Sequence, residues 1–122
     1  MENLKIEAKM YKVPNDMTKI DLEGATVEFF EYKEEDLIYY FFDTSLTTPP
    51  DPMVNAMLGL QLLNNKNKRL IMINHSIPNA LFPRISANFD FEVESLEEKI
   101  KIEFKHKDNS VLQTDFSNNK CG

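Results

Sequence analysis

One cysteine, three glycines and two histidines in 122 residues set the first limits on this chain. Cys121 has no second cysteine to pair with, so an intrachain disulfide and a multi-cysteine zinc or iron–sulfur site are both excluded. The few glycines form no P-loop, G-x-G-x-x-G or G-x-S-x-G motif, and no nucleophile–base constellation is recognisable. No apolar run approaches the roughly 20 residues that a bilayer-spanning helix needs. The start, MENLKIEAKM, lacks the basic opening and apolar stretch of a signal peptide, which sets the expectation of a cytoplasmic protein. Cations are also scarce: 14 Lys and Arg stand against 20 Asp and Glu, a net charge of −6. Neither a phosphate backbone nor an anionic membrane is therefore an expected partner.

What is present suits one globular domain. Hydrophobic residues make up 42% and charged residues 28%. Leu4, Ile6, Ala8 and Met10 alternate with Lys5, Glu7, Lys9 and Tyr11, a period of two that predicts a strand over 4–13, with a short helix as the alternative. Pro14-Asn15-Asp16 breaks it, and 17–24 reads as a connector ending at Gly24. From Ala25 to Thr44 aromatic and β-branched residues flank the acidic turn Lys33–Asp36, predicting a hairpin. Its second arm, Leu37–Phe42, is apolar on both faces, as a central strand or one at an oligomer contact would be.

Then comes the most informative stretch, Asp43-Thr44-Ser45-Leu46-Thr47-Thr48-Pro49-Pro50-Asp51-Pro52-Met53. Pro52 suits a first helical turn, because its missing N–H would be unpaired there and its φ is already helical. Met53–Leu63 is almost wholly apolar, predicting a helix buried along most of its girth. After the polar loop Asn64–Lys68, the short apolar strand Arg69–Ile73 ends at Asn74-His75. A strand–helix–strand crossover of this length implies a parallel pair. A second short helix is predicted within Pro78–Ala87, with Pro83 confined to its first turn. Phe89–Glu94 and Lys99–Lys107 alternate and predict a closing hairpin. The order from Leu37 onward is thus β-α-β-α-β-β.

That order, with Pro49-Pro50-Asp51-Pro52 opening the first helix, resembles the SirA/TusA-like superfamily over residues 37–107. The resemblance implies an α+β two-layer sandwich with two helices on one face of a mixed four-stranded sheet. The expected organisation is an N-terminal β extension (1–34) packed on the same domain, the SirA/TusA-like domain (35–107) and a polar tail (108–122). In the sulfur carriers a Cys-Pro-x-Pro motif opens the helix. Here Pro50 and Pro52 match the prolines, and Pro49 stands where the cysteine would, so persulfide chemistry cannot run at that position. The proline-rich run is similar to the uncharacterised DUF2249-like branch. That branch carries a D-H-x-P-x-P-L stretch, to which Asn74-His75-Ser76-Ile77-Pro78-Asn79-Ala80-Leu81 is a counterpart with asparagine for aspartate and the first proline one place late.

Site residues follow from position. Ligands of open sheets sit beyond the C-terminal ends of parallel strands, where His75 and the helix start both fall. Thr47, Thr48, Pro49, Asp51, Met53 and His75 are the candidate ligand-binding residues. The N–H groups around Met53–Asn55 suggest an anion, whereas Asp51 can instead serve the helix terminus itself. His75 is read either as a ligand contact or as a turn residue satisfied by backbone groups. No cofactor and no catalytic residue is expected, and with His106 the only other histidine, no tight metal site is either.

The functional expectation is a non-catalytic module that binds a partner protein or small molecule near the start of its first helix. The alternative is a sulfur or redox relay through Cys121, whose neighbour Lys120 would favour the thiolate. Lys99, Lys101, Lys105 and Lys107 give the last strand a basic stripe that reads as a wet sheet face or as a docking site for an acidic partner. The surplus of Phe and Tyr over 29–42 adds a homodimer contact to the expectations.

Overall fold

The computed structural model describes residues 17–107; the predicted strand over 4–13 and the tail from 108 onward lie outside the described residues. Eight elements follow in order: β1 (Thr18–Ile20), β2 (Phe29–Glu34), β3 (Leu37–Asp43), α1 (Asp51–Leu60), β4 (Lys68–Asn74), α2 (Phe82–Ile85), β5 (Phe89–Ser95) and β6 (Ile100–His106). The strands form a six-stranded sheet in the order β1-β2-β3-β4-β6-β5. Only β3 and β4 pair in parallel, with Tyr40 beside Leu70 and Phe42 beside Met72; every other neighbouring pair is antiparallel.

This architecture corrects the expected four-stranded sheet carrying two helices. Residues of the anticipated extension complete the same sheet: β2 pairs along most of β3, from Phe30–Phe41 to Glu34–Leu37, and β1 continues it at the edge. The second helix is a single turn, because Pro83 can occupy only a helix start and the preceding residues 77–81 form turns instead.

Alternation along the strands assigns the two faces. Tyr40 and Phe42 of β3, Leu70 and Met72 of β4, and Ile102 and Phe104 of β6 point to one face and meet Ala56 and Leu60 of α1 and Leu81 and Ile85 beside and within α2. Phe29 stacks on Phe42 with ring centroids 4.7 Å apart, and Phe82 stacks on Phe91 at 4.1 Å. The other face carries Tyr32, Tyr39, Phe41, Ile71 and Ile73, and across β6 and β5 a charged field that includes Lys101, Glu103 and Lys105.

Two residues bring α1 close to the sheet. Gly59 faces Leu70 and Phe29 so tightly that a Cβ there would lie 2.9 Å from Leu70 Cδ1 and 3.0 Å from Phe29 Cε2. Asn55, fully buried, donates from Nδ2 to Thr26 Oγ1 and to the Asp51 carbonyl, both at 2.7 Å, and accepts the Thr26 N–H at 2.9 Å through Oδ1. This polar interruption in an apolar helix anchors the β1–β2 connector, satisfying groups that burial would otherwise penalise. Among the described residues no helix is long and apolar enough to cross a membrane.

Candidate functional site

The parallel pair β3–β4 delivers two loops to one end of the sheet. The loop after β3 is built by its own hydroxyls and carbonyls. Asp43 Oδ1 accepts the Ser45 N–H at 2.8 Å, the Thr47 hydroxyl donates to the Thr44 carbonyl at 2.9 Å, and the Asp51 N–H donates to Thr48 O at 3.0 Å. A cis peptide joins Pro49 to Pro50. The loop after β4 is held by Asn74, which is 2% exposed: Oδ1 accepts from the Thr44 hydroxyl at 2.9 Å and Nδ2 donates to the Ser76 carbonyl at 2.8 Å. The Thr44 N–H also donates to Ile73 O at 2.8 Å, extending the parallel ladder past β3.

Between these loops and the first turn of α1 lies a shallow cavity of about 170 Å³, lined by Pro49, Pro50, Pro52, Met53, Asn74, His75, Ser76 and Pro78. Three sequence candidates, Pro49, Met53 and His75, are therefore brought together. Thr48 and Asp51 do not line the cavity, and the Thr47 hydroxyl is occupied within its own loop. Cys121 lies outside the described residues.

The helix start is poorly suited to an anion. The Asp51 N–H is taken by Thr48 O, Pro52 has none, and the Val54 N–H is taken by Pro50 O. Among the described residues this leaves Met53 as the first-turn position whose N–H has no acceptor, with the Asp51 carboxylate on the same turn. Metal binding gains nothing either. His106 pairs opposite Phe89, whose ring it meets edge-on at 4.9 Å, at the end of β6 remote from the Asn74–Ile100 pairing and hence from His75. Among the described residues no group of three or more His, Cys, Asp or Glu is placed to hold a metal ion.

The cavity's surroundings are apolar. Of four large apolar side chains exposed among the described residues, three stand on the elements that wall it without lining it: Leu46 in the first loop at 94%, Ile77 in the second at 44%, and Val54 in the first turn of α1 at 38%. Leu46 carries no sequence signal, since a lone leucine between polar residues reads like any core leucine; only its placement distinguishes it. Ile77 falls where the resembled motif has its first proline, and nothing in the sequence marks it as exposed. Along the sequence from 37 to 65 the charges have one sign: Asp43 and Asp51, with no lysine or arginine.

A larger cavity, about 520 Å³, lies on the face away from the helices and is lined by Leu37, Arg69, Asp90, Phe91, Glu92, Glu103 and Lys105. Its charges are mixed: Arg69 lies 3.9 Å from Glu103, and in the strand register Asp90 stands opposite Lys105 and Glu92 opposite Glu103. Tyr39, beside Arg69 in the register, has its phenol pushed above its ordinary value of 10.0, first by burial and then by Glu103 and Glu34. Of the residues singled out in the sequence, Lys105 of the basic stripe lines this cavity, and none of the ligand-binding candidates does.

Compared with protein-family models, curated proteins and solved structures, the chain matches none.

Proposed function

We propose that this chain is a non-enzymatic binding module that takes an apolar, basic-flanked segment of a partner protein at the Pro49–His75 end of its sheet. The carrying observation is the coincidence of the cavity with exposed apolar surface, Leu46, Ile77 and Val54 standing on the elements that wall it. Exposed apolar side chains clustered at a depression favour association, and fully burying one leucine contributes roughly 2 kcal/mol. The proline and methionine lining offers few directed polar groups, which favours a peptide side chain over a charged small molecule. Asp43 and Asp51, the charged residues of the stretch 37–65, favour a lysine or arginine beside the partner's apolar anchor.

Kinship with the SirA/TusA-like superfamily, in its DUF2249-like branch, and a cytoplasmic location belong to the same proposal. Pro49-Pro50-Asp51-Pro52 at the opening of α1 supports the kinship. Pro49 lies in the cavity and brings no nucleophile to it, which supports binding over group transfer.

The test uses the full chain as bait for a random peptide library. Selected peptides should carry an apolar residue beside a basic one and should lose binding to Leu46→Asp/Ile77→Asp while keeping it to Val93→Asp, which alters an exposed residue on β5. Equal binding to both variants would remove the proposed site.

A further inference from the structure

The sheet order places β5 at an end, so among the described residues it pairs on one side alone, with β6. That pairing runs one to one from Phe89–His106 to Ser95–Ile100, with no bulge and no proline in β5. Two hydrogen bonds just beyond its ends fix its phase. The Lys107 N–H donates to Asn88 O at 3.0 Å, and the Leu96 N–H donates to Lys99 O at 2.8 Å. Bonded pairs alternate along an antiparallel ladder, so Asp90, Glu92 and Glu94 turn their backbone groups toward β6. Phe91, Val93 and Ser95 turn theirs to the outer edge, where no described strand meets them. Side chains sort by the same alternation. Asp90, Glu92 and Glu94 stand on the face away from the helices, all exposed. Phe91 stands on the helix side, stacked on Phe82, and Val93 stands beside it, 42% exposed.

We propose that the outer edge of β5 binds an extended segment of a partner protein in which lysine or arginine alternates with apolar residues, added antiparallel alongside β5. The N–H and C=O groups of Phe91, Val93 and Ser95 supply the ladder bonds. Glu92 and Glu94 then fall at the non-hydrogen-bonded positions of the new ladder, where facing residues come within about 4.5 Å, Cα to Cα, and call for cations. Val93 calls for an apolar residue on the other face. The inner edge of β5 already accepts a strand of this kind. Lys101 of β6 lies 3.6 Å from Glu94, Lys105 stands opposite Asp90, and Ile102 and Phe104 stand opposite Val93 and Phe91. Glu92 is the exception: it faces Glu103, which lies 3.9 Å from Arg69, so no cation stands directly across from it on β6. A second copy is a poor occupant, because two β5 strands laid antiparallel with their faces matched set carboxylate against carboxylate. This edge is separate from the Pro49–His75 end, and the inference does not depend on that reading.

The experiment adds a capped synthetic peptide of alternating lysine and valine to isotope-labelled full-length protein and follows amide hydrogen exchange residue by residue. In the free protein the amides of Phe91, Val93 and Ser95 should exchange quickly and those of Glu92 and Glu94 slowly. Saturating peptide should slow the first three by about tenfold or more and leave the other two unchanged. A peptide of alternating glutamate and valine should have no effect. Val93→Pro, which removes an outward N–H and no bond to β6, should abolish the protection. Glu92→Lys/Glu94→Lys should abolish it too, and serves if the proline variant fails to fold. Slow exchange of the three outward amides before peptide is added would overturn the proposal, because the edge would then be occupied already. Equal protection by the two peptides would overturn it, as would changes confined to residues outside β5.

Discussion

Thr44 and Asn74 are joined side chain to side chain at 2.9 Å, buried at 0% and 2% exposure, where the two parallel strands end. Asn74 also donates to the Ser76 carbonyl at 2.8 Å. It accepts on one side and donates on the other, which fixes the loop that presents His75. An aspartate, the residue that the resembled motif carries here, would keep the acceptor and lose the donor. The asparagine is thus matched to this loop.

Asn74→Asp should therefore destabilise the protein by about 1–3 kcal/mol at neutral pH, since a buried carboxylate would face the Ser76 carbonyl. Burial raises such a carboxyl's pKa above its unfolded value. A raised folded pKa means that stability is fully present below the unfolded pKa and is lost as pH rises through the folded one. The penalty should shrink on acidification, when the protonated acid donates as the amide did. Urea unfolding of variant and wild type at two pH values reads this; a pH-independent difference would contradict it.

Gly59→Ala should cost about 1–3 kcal/mol, because the new methyl would sit 2.9 Å from Leu70 Cδ1 and must displace α1 or the sheet. The same change combined with Leu70→Ala should cost less than the sum of the two single changes, since the cavity accepts the methyl. Additive unfolding free energies would show that α1 does not approach the sheet at this residue.

Tyr39 gives an alkaline signature. Its folded pKa is raised from 10.0, first by burial and then by Glu103 and Glu34. Its share of stability is accordingly complete below pH 10 and is lost as pH climbs through the raised value, because the unfolded tyrosine ionises first. Tyr39→Phe should flatten the fall of unfolding free energy above pH 10 relative to wild type. Parallel curves for the two proteins would contradict this.

Much of the sheet was legible from alternation. β2, β3, β5 and β6 each show a run of period two or of aromatic and β-branched residues, and the length of the crossover anticipated the parallel β3–β4 pair. β1 was not legible: Thr18-Lys19-Ile20 is too short for any period to show, and only pairing with β2 makes it a strand. The six-stranded count was missed for a second reason as well: β2 was read as a hairpin arm but was not counted in the four-stranded sheet. At the site, Pro49, Met53 and His75 followed from the rule that ligands gather beyond parallel strand ends. Thr48 and Asp51, named with them for their place beside the helix start, do not line that cavity. Leu46 was missed because exposure is a property of the assembled loop.

The central claim, that an apolar segment of a partner binds beyond the β3–β4 ends, is tested most directly by adding a library-selected peptide to isotope-labelled full-length protein and mapping the amide shifts. The account predicts shifts confined to residues 44–54 and 74–78, abolished by Leu46→Asp/Ile77→Asp without loss of fold. Shifts centred on Arg69, Glu92 and Glu103 would place recognition in the charged cavity on the opposite face and contradict it.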